Sequence, residues 1–229
     1  MVNRPLDLAL GLLGVALAVP LLAAAAVGIR LSSPGPVLYR ARRVGRNGAA
    51  FTMYKLRTMH VREGPGSAIT GRNDPRVFPF GAWLRRTKID EIPQLFNVVR
   101  GDMSLVGPRP EDPAIVLRHY APAHRETLAV RPGLASPGSI YNYTHGERLL
   151  SSGQPERDYV DRLLPLKLAL DVVYVRRASL RYDLTIVGRA LWAIASVALG
   201  RSTFPDPPEL AAARELMIEE ATSCNLVVR

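Results

Sequence analysis

The pattern of apolar and polar positions begins with one long uncharged run, from Leu8 to Ile29. It reads LALGLLGVALAVPLLAAAAVGI, and it is bounded by Asp7 on one side and Arg30 on the other. As a straight helix the run would reach roughly 33 Å, which matches the hydrocarbon thickness of a bilayer, roughly 30 Å. The pattern therefore predicts a helix that resides in a membrane.

Pro20 leaves two membrane arrangements open. It removes the hydrogen bond to the carbonyl of Ala16 and favours a bend, which divides the run into halves of about 12 and about 9 residues, each too short to cross alone. A bent helix would re-enter on the same face, but a spanning helix also tolerates proline. Basic residues flank both ends, which agrees with two cytoplasmic ends. A cleaved signal peptide is least favoured, because the sequence after Arg30 is strongly basic.

Downstream, the pattern changes to short elements. Two runs rich in aromatic and β-branched residues, VLYRARRV and FTMYKLRTM, surround Asn47-Gly48 and predict a hairpin with an irregular or longer turn. A Gly- and Pro-rich stretch from Val61 to Val77 predicts a long loop. Helices are expected at Phe80 to Arg86, around Leu163 to Val175, at Asp183 to Leu199 and after the break at 200–208.

The predicted fold class is therefore mainly α with a small β-hairpin (α+β). Residues 1–30 form the membrane helix bent near Pro20, residues 31–200 one compact domain, and residues 201–229 a peripheral tail helix. The helix from Asp183 to Leu199 is either a core or an interfacial helix, since it is apolar but carries Arg189. A core position is favoured for Trp192 over a membrane interface.

Charge and composition restrict the function. The chain has 229 residues, 30 Lys plus Arg, 20 Asp plus Glu, and a formal net charge of +10, which predicts an anionic partner. Its single cysteine, Cys224, cannot form an internal disulfide, and four scattered histidines show no zinc spacing. Nucleic acid, an anionic membrane surface or a phosphorylated substrate remain as partners.

Against this basic background stand two adjacent acids, Asp90 and Glu91. Pro93 is tolerated only in the first turn of a helix, so the pair lies near a helix N-terminus. Aspartate is a preferred N-cap, and local sequence alone favours that role. The alternative is phosphoryl transfer, because arginines on both sides can converge on phosphate oxygens while a carboxylate attacks phosphorus or binds Mg²⁺.

Several ordered motifs resemble those of the bacterial sugar transferases called monotopic phosphoglycosyl transferases. The matches run from about residue 4 to about 195, and they comprise Asp7, Ser33-Pro34-Gly35-Pro36, Tyr54-Lys55-Leu56-Arg57-Thr58-Met59, Asp90-Glu91-x-Pro93-Gln94-Leu95-x-Asn97-Val98, Gly101 to Pro110, Arg131-Pro132-Gly133 and Asp183. The resemblance implies a re-entrant membrane helix and a compact cytosolic catalytic domain with interfacial helices. It also implies a position at the cytoplasmic face of the bacterial inner membrane.

The activity that the resemblance implies is transfer of a sugar 1-phosphate from a UDP-sugar to polyprenyl (undecaprenyl) phosphate, with release of UMP, as the first membrane step of a glycan pathway. Asp90 would attack the β-phosphorus and form a covalent phosphosugar intermediate. Mg²⁺ would bind at Asp90 and Glu91, with Glu91 also a candidate for proton handling. Arg85 and Arg109 occupy positions near the phosphates, and Arg131 is a third candidate. Membrane phospholipid is a further partner, nucleic acid is not, and a homodimer is compatible with the resemblance.

Two departures from the family pattern stand out. The bend has Val19-Pro20 where the family often has Ser-Pro, and the segment after Arg131-Pro132-Gly133 reads LASPGSIYNYTHGE without the usual arginine. Its Tyr141, Asn142, Tyr143 and His145 either line a differently shaped sugar or nucleotide pocket or belong to an ordinary loop. The rival functions are a membrane-anchored, non-catalytic binder of anionic lipid or nucleic acid, and a nucleotide-sugar hydrolase.

Overall fold

The fold is given by a computed structural model, which describes residues 4–61, 74–150 and 154–227. It confirms a mainly helical chain with very little sheet. The helices are α1 (Arg4–Ser32), α2 (Pro79–Arg86), α3 (Gln94–Arg100), α4 (Pro113–His119), α5 (Pro137–Leu149), α6 (Pro155–Asp158), α7 (Leu164–Arg177), α8 (Leu180–Ala198) and α9 (Leu210–Val227). The strands are β1 (Leu38–Val44), β2 (Ala50–Leu56), β3 (Ser104–Val106) and β4 (Gly133–Ala135).

The predicted hairpin is confirmed as the antiparallel pair β1 and β2, with Leu38 opposite Leu56 and Val44 opposite Ala50. Its turn is a short 3-10 segment in which Asn47 and Gly48 both adopt positive φ. The sequence did not reveal a second pair, in which β3 lies parallel to β4. Residues 62–73 of the predicted loop lie outside the described residues.

Helix α1 runs through Pro20 and presents one narrow stripe to the rest of the protein. The stripe repeats at helical spacing and consists of Asp7, Gly11, Ala18, Ala25 and Ile29. Most of the remaining surface is apolar and exposed, with Leu17 at 71% exposure. By length and composition α1 could cross a membrane, and such a large exposed apolar surface requires a covering environment.

Both ends of α1 are attached to the same domain. At its start, Arg4 donates hydrogen bonds to the carbonyls of Val98 and Val99 in α3, and Asp7 accepts a 2.8 Å bond from the Ser104 hydroxyl. At its end, Ile29 is buried in a cluster with Leu56 and Leu84. The domain therefore contacts the helix on both sides of Pro20.

The later helices form the other half of the domain. Helix α7 is buried along most of its length and packs against α5, α9 and the core residues Tyr159 and Leu163. The expected helices near Leu163, Asp183 and residue 209 are thus confirmed. The core position favoured for Trp192 is wrong, because its side chain is 46% exposed on α8.

Candidate active site

The acid pair lies in one 3-10 turn, Ile89–Glu91, between α2 and α3. Helix α3 begins only at Gln94, and its N-cap residue is Pro93, which makes no side-chain capping bond. The N-cap interpretation is therefore wrong for both acids. The carboxylates are instead buried among cations that come from three different parts of the chain.

Glu91 is the centre of this group. Arg109 donates two parallel hydrogen bonds to its carboxylate, at 2.8 and 2.7 Å, while Lys55 and Lys88 approach Oε1 at 3.3 and 3.2 Å. Burial by itself would raise the pKa of Glu91, but Arg109 and the two lysines outweigh it and hold that pKa well below its usual range. Glu91 is therefore an anion whose oxygens are already bound.

Asp90 has a different environment. Its side chain is only 5% exposed, and its Oδ1 is buried without a hydrogen-bond partner among the described residues. Burial, and then the charge of Glu91, raise the pKa of Asp90, while Lys55, Lys88 and Arg85 act in the opposite direction. An unpaired carboxyl oxygen next to several cations makes Asp90 a candidate functional residue.

Arg85 is held next to the pair by a close contact between two elements. Gly81, one turn earlier in α2, lies so near the segment that follows β2 that an added Cβ would come within 2.2 Å of the Thr58 carbonyl oxygen. This approach lets Nε of Arg85 donate a 2.8 Å hydrogen bond to the Thr58 hydroxyl. The positive charge of Arg85 acts to lower the pKa of Asp90. Burial lowers the pKa of Arg85 itself.

Arg109 is positioned by the loop that follows β3. The Gly107 amide bonds the Ala135 carbonyl at 2.9 Å, and an added Cβ at Gly107 would come within 2.5 Å of the Arg131 carbonyl oxygen. The tight crossing of two chain segments leaves Arg109 directed at Glu91. Arg131 itself lies elsewhere, since its Nε donates to the Gly101 carbonyl at 3.1 Å.

Most of the segment that departs from the family pattern lies in helix α5, so its interpretation as an ordinary loop is wrong. Ser136 and Ser139 form a capping box at its start. Tyr141 stacks on His145, with ring centroids 4.6 Å apart. Tyr143 reaches the site, because the Lys88 ammonium lies 4.6 Å above its ring centroid.

A second buried acid lies behind Arg109. Glu111 contacts the ammonium of Lys167 and accepts a 2.5 Å hydrogen bond from the Tyr159 hydroxyl. On the same helix as Lys167, burial raises the pKa of Asp171 to about 6, although Lys167 and hydrogen bonds from Ser136 and the Gly138 amide oppose this. We call Glu111, Tyr159 and Lys167 the closed cluster, because each of the three is bonded to the other two.

Other motif residues support the framework rather than the site. Asp7 and Asp183 accept hydrogen bonds from Ser104 and Tyr174, and Asn97 joins α3 to β2 through Thr52 and Tyr54. Arg57 binds the carbonyls of Ser33 and Pro36 and so fixes the chain after α1.

At the acid pair, Asp90 rather than Glu91 is the available Mg²⁺ ligand. Oδ1 of Asp90 is an unpaired hard ligand, and the side-chain amide of Gln94, buried one turn later, also lacks a partner. Both Glu91 oxygens are engaged by Arg109. In the described part of the chain, no group of three or more His, Cys, Asp or Glu side chains could hold a metal. The site therefore fits an ion that takes its remaining ligands from water and substrate phosphates, as Mg²⁺ commonly does.

Sequence reasoning gave no role to Lys55 and Thr58, and it counted Lys88 only among the basic residues that precede the acid pair. One signal was available, because the chain contains only three lysines among its 30 basic residues. Two of them bind Glu91 and the third binds Glu111.

Comparison with known proteins identifies the chain's relatives. The family model described as "Bacterial sugar transferase" matches residues 1–197. A UDP-glucose:undecaprenyl-phosphate glucose-1-phosphate transferase of Caulobacter vibrioides is 42% identical over 192 residues, which cover 82% of this chain and 68% of that protein. The "Exopolysaccharide production protein PSS" of Rhizobium leguminosarum bv. phaseoli is 36% identical over 194 residues, covering 81% of this chain and 90% of the relative.

Some relatives are much longer than this chain. A UDP-glucose:undecaprenyl-phosphate glucose-1-phosphate transferase of Xanthomonas campestris pv. campestris is 38% identical over 176 residues, covering 73% of this chain. The chain spans only 33% of that relative's length.

Proposed function

The chain belongs to the bacterial sugar transferase family, and we propose that it transfers a sugar 1-phosphate from a UDP-sugar to polyprenyl (undecaprenyl) phosphate. UMP is the other product, and the reaction begins a glycan on its lipid carrier. The names of the Caulobacter and Xanthomonas relatives support this reaction. The observation that carries the proposal is the unpaired, buried Oδ1 of Asp90 beside a surplus of cations.

In the first step, a carboxylate oxygen of Asp90 attacks the β-phosphorus of the UDP-sugar. A bond forms between that oxygen and phosphorus, the bond from phosphorus to the bridging oxygen breaks, and UMP leaves with the electron pair. Asp90 then carries the sugar phosphate as an acyl phosphate. The diphosphate brings negative charge to a site where two acids face Lys55, Arg85, Lys88 and Arg109.

Glu91 has a positioning role in this scheme. Its bidentate contact with Arg109 and its contacts with Lys55 and Lys88 fix where three positive charges stand. The incoming phosphates can then share these cations without a large rearrangement of the site. Mg²⁺, held by Asp90 and the substrate phosphates, would supply further neutralisation of the diphosphate charge.

In the second step, an oxygen of polyprenyl phosphate attacks the phosphorus of the intermediate. The bond from that phosphorus to Asp90 breaks, a polyprenyl diphosphosugar forms, and the carboxylate is regenerated. Dividing the transfer in this way means that two anionic substrates never occupy the site together. Because UMP leaves before the lipid enters, the basic side chains around the acid pair can then bind the lipid phosphate.

The membrane arrangement follows from α1. Its start is attached to α3 and its end to the cluster beside α2, so we propose that both ends lie on one face of the membrane. A spanning helix would place its two ends in opposite compartments. The re-entrant arrangement puts the catalytic domain on the cytoplasmic face of the inner membrane, beside the phosphate of the lipid carrier.

Intact mass spectrometry tests the chemistry. Purified protein with Mg²⁺ and a panel of UDP-sugars, but without lipid, should gain the mass of one sugar phosphate, and peptide mapping should place it on Asp90. Addition of undecaprenyl phosphate should remove the adduct and release UMP continuously. An adduct on another residue would refute the Asp90 assignment, and continuous UMP release beyond one equivalent per protein in the absence of lipid would indicate a hydrolase.

Labelling from the two membrane faces tests the topology. In a Cys224→Ser background, Pro5→Cys and Ser32→Cys place a thiol at either end of α1, at exposed positions. An impermeant thiol reagent should reach both from the cytoplasmic face of inverted vesicles and neither from the opposite face. Labelling of the two positions from opposite faces would contradict the re-entrant arrangement.

A further inference from the structure

Lys88 has an unusual backbone conformation for its residue type. It follows α2 with φ 59° and ψ 13°, in the left-handed region where glycine is the usual residue after a helix. Such strain persists only when surrounding contacts impose it, and it concentrates at functional sites. A lysine at this position therefore points to a use for its side chain.

The side chain of Lys88 lies between two partners. Its ammonium is 3.2 Å from Oε1 of Glu91 and 4.6 Å from the ring centroid of Tyr143 in α5. A ring face attracts a cation at this distance. The ring and the carboxylate together hold one charge in a fixed place beside the acid pair.

Tyr143 makes a second contact with the same turn. Its hydroxyl donates a 2.6 Å hydrogen bond to the carbonyl of Arg86, two residues before Lys88. One side chain of α5 thus contacts both the end of α2 and the lysine that immediately precedes the turn. Asp90 and Glu91 follow within three residues.

We propose that Tyr143 is a positioning residue for the acid pair, which acts by holding Lys88 against Glu91. This inference rests on the proposed function, because it assigns Tyr143 to formation of the phosphosugar intermediate. It does not require the ring to touch the sugar or the nucleotide.

Kinetics of four variants test the proposal: Tyr143→Phe, Tyr143→Leu, Lys88→Gly and the double variant Lys88→Gly/Tyr143→Leu. Tyr143→Leu should lower kcat for UMP release about tenfold, which is the scale of one partly buried cation–π contact, and leave KM for the UDP-sugar within about twofold. Tyr143→Phe should retain most of the activity, because the ring remains.

Lys88→Gly separates strain from catalysis. It should melt at the same or a higher temperature than the parent, since glycine adopts this backbone freely, and yet lose at least as much kcat as Tyr143→Leu. The kcat of the double variant should be no lower than that of Lys88→Gly, because Tyr143 acts through Lys88. Tyr182→Phe, which removes a hydroxyl bonded to Glu209, is the matched control and should leave kcat unchanged.

A spectroscopic measurement keeps the test independent of activity. Because the chain contains three lysines, lysine-selective ¹³C labelling should give three side-chain signal sets. The Lys88 side-chain signals should be shifted upfield by the ring current of Tyr143. This shift should disappear in Tyr143→Leu. An unshifted Lys88 signal, a raised KM with unchanged kcat, or additive losses in the double variant would each overturn the proposal. Absence of the phosphosugar adduct in the parent protein would instead contradict the proposed function.

Discussion

The acid pair and the closed cluster are both buried, both contain lysine, and differ in their charge balance. In the closed cluster one carboxylate, Glu111, meets one ammonium, Lys167, and one hydroxyl, Tyr159. At the acid pair, two carboxylates face Lys55, Arg85, Lys88 and Arg109.

We interpret this difference as one between a group that stabilises the fold and a group that binds an anionic ligand. A balanced buried pair is complete in itself, and loss of either member leaves an uncompensated charge. A surplus of cations beside an unpaired carboxyl oxygen is complete only when an anion binds. Removal of a charged residue should therefore lower stability at the closed cluster and lower activity at the acid pair.

Asp90→Asn should produce the largest effect on activity. It removes the proposed nucleophile, so UMP release should fall by at least about 10³-fold and the mass adduct should disappear. Thermal stability should be unchanged or higher, because the variant removes a buried carboxyl that has no partner at Oδ1. Asp161→Asn, which alters an exposed ion pair, is the control and should retain activity. A large loss of stability in Asp90→Asn would show that the two clusters are alike after all.

Lys167→Met should produce the largest effect on stability. It leaves Glu111 charged and uncompensated in the core, at a cost of about 3–5 kcal/mol in the free energy of unfolding. The double variant Lys167→Met/Glu111→Gln should recover much of this loss. Denaturant unfolding in detergent micelles would measure both, and equal destabilisation of the single and double variants would contradict the closed-cluster interpretation.

Arg109→Lys tests the geometry of the cations rather than their charge. Lysine cannot reproduce the two parallel hydrogen bonds to Glu91, so kcat/KM should fall about 10²-fold while the protein stays folded. Arg43→Lys alters a half-exposed pair with Asp112 and should change activity less than about threefold. Steady-state UMP release from both variants measures the contrast.

The pH dependence of kcat/KM should identify Lys55. Burial lowers the pKa of Lys55 to about 8 despite the opposing charge of Glu91, so its positive charge is present below that pH and lost above it. Activity should therefore decline above about pH 8. On the acidic side it should decline as the raised pKa of Asp90 is passed and the nucleophile is protonated.

Lys55→Arg sharpens this assignment. Arginine stays charged across the range, so the alkaline decline should move upward and give about a tenfold advantage over the parent one pH unit above the lysine pKa. Lys55→Met should be weakly active with no alkaline decline near pH 8. An unchanged alkaline limb in Lys55→Arg would assign it to another group.

Arg131→Met should have the smallest effect. Its guanidinium bonds the Gly101 carbonyl rather than either acid, so kcat/KM should fall by less than about threefold, the range of a peripheral hydrogen bond. Comparison with Arg109→Met under identical conditions gives the measurement. Equal losses in the two variants would show that Arg131 reaches the substrate.

The residues proposed for the chemistry could be selected from the sequence, because the selection depends on residue types in order along the chain. Asp90, Glu91, Arg85 and Arg109 stand within one segment, residues 85–109, and the structure brings Arg109 to Glu91. The errors have local causes. The proline that indicated a helix N-terminus follows a separate 3-10 turn, and the glycine-containing segment after Arg131 is helical because a capping box initiates α5.

The sequence by itself determined the apolar N-terminal helix, the hairpin and the order of acids and arginines, since each of these is written in neighbouring residues. Only the tertiary structure decided which cations meet which acids. Lys55 reaches Glu91 across 36 positions and Lys167 reaches Glu111 across 56. Such contacts arise when helices and strands pack, and the periodicity of residues along the chain does not predict them. Packing therefore made one acid the centre of a closed cluster and left Asp90 with an unpaired oxygen.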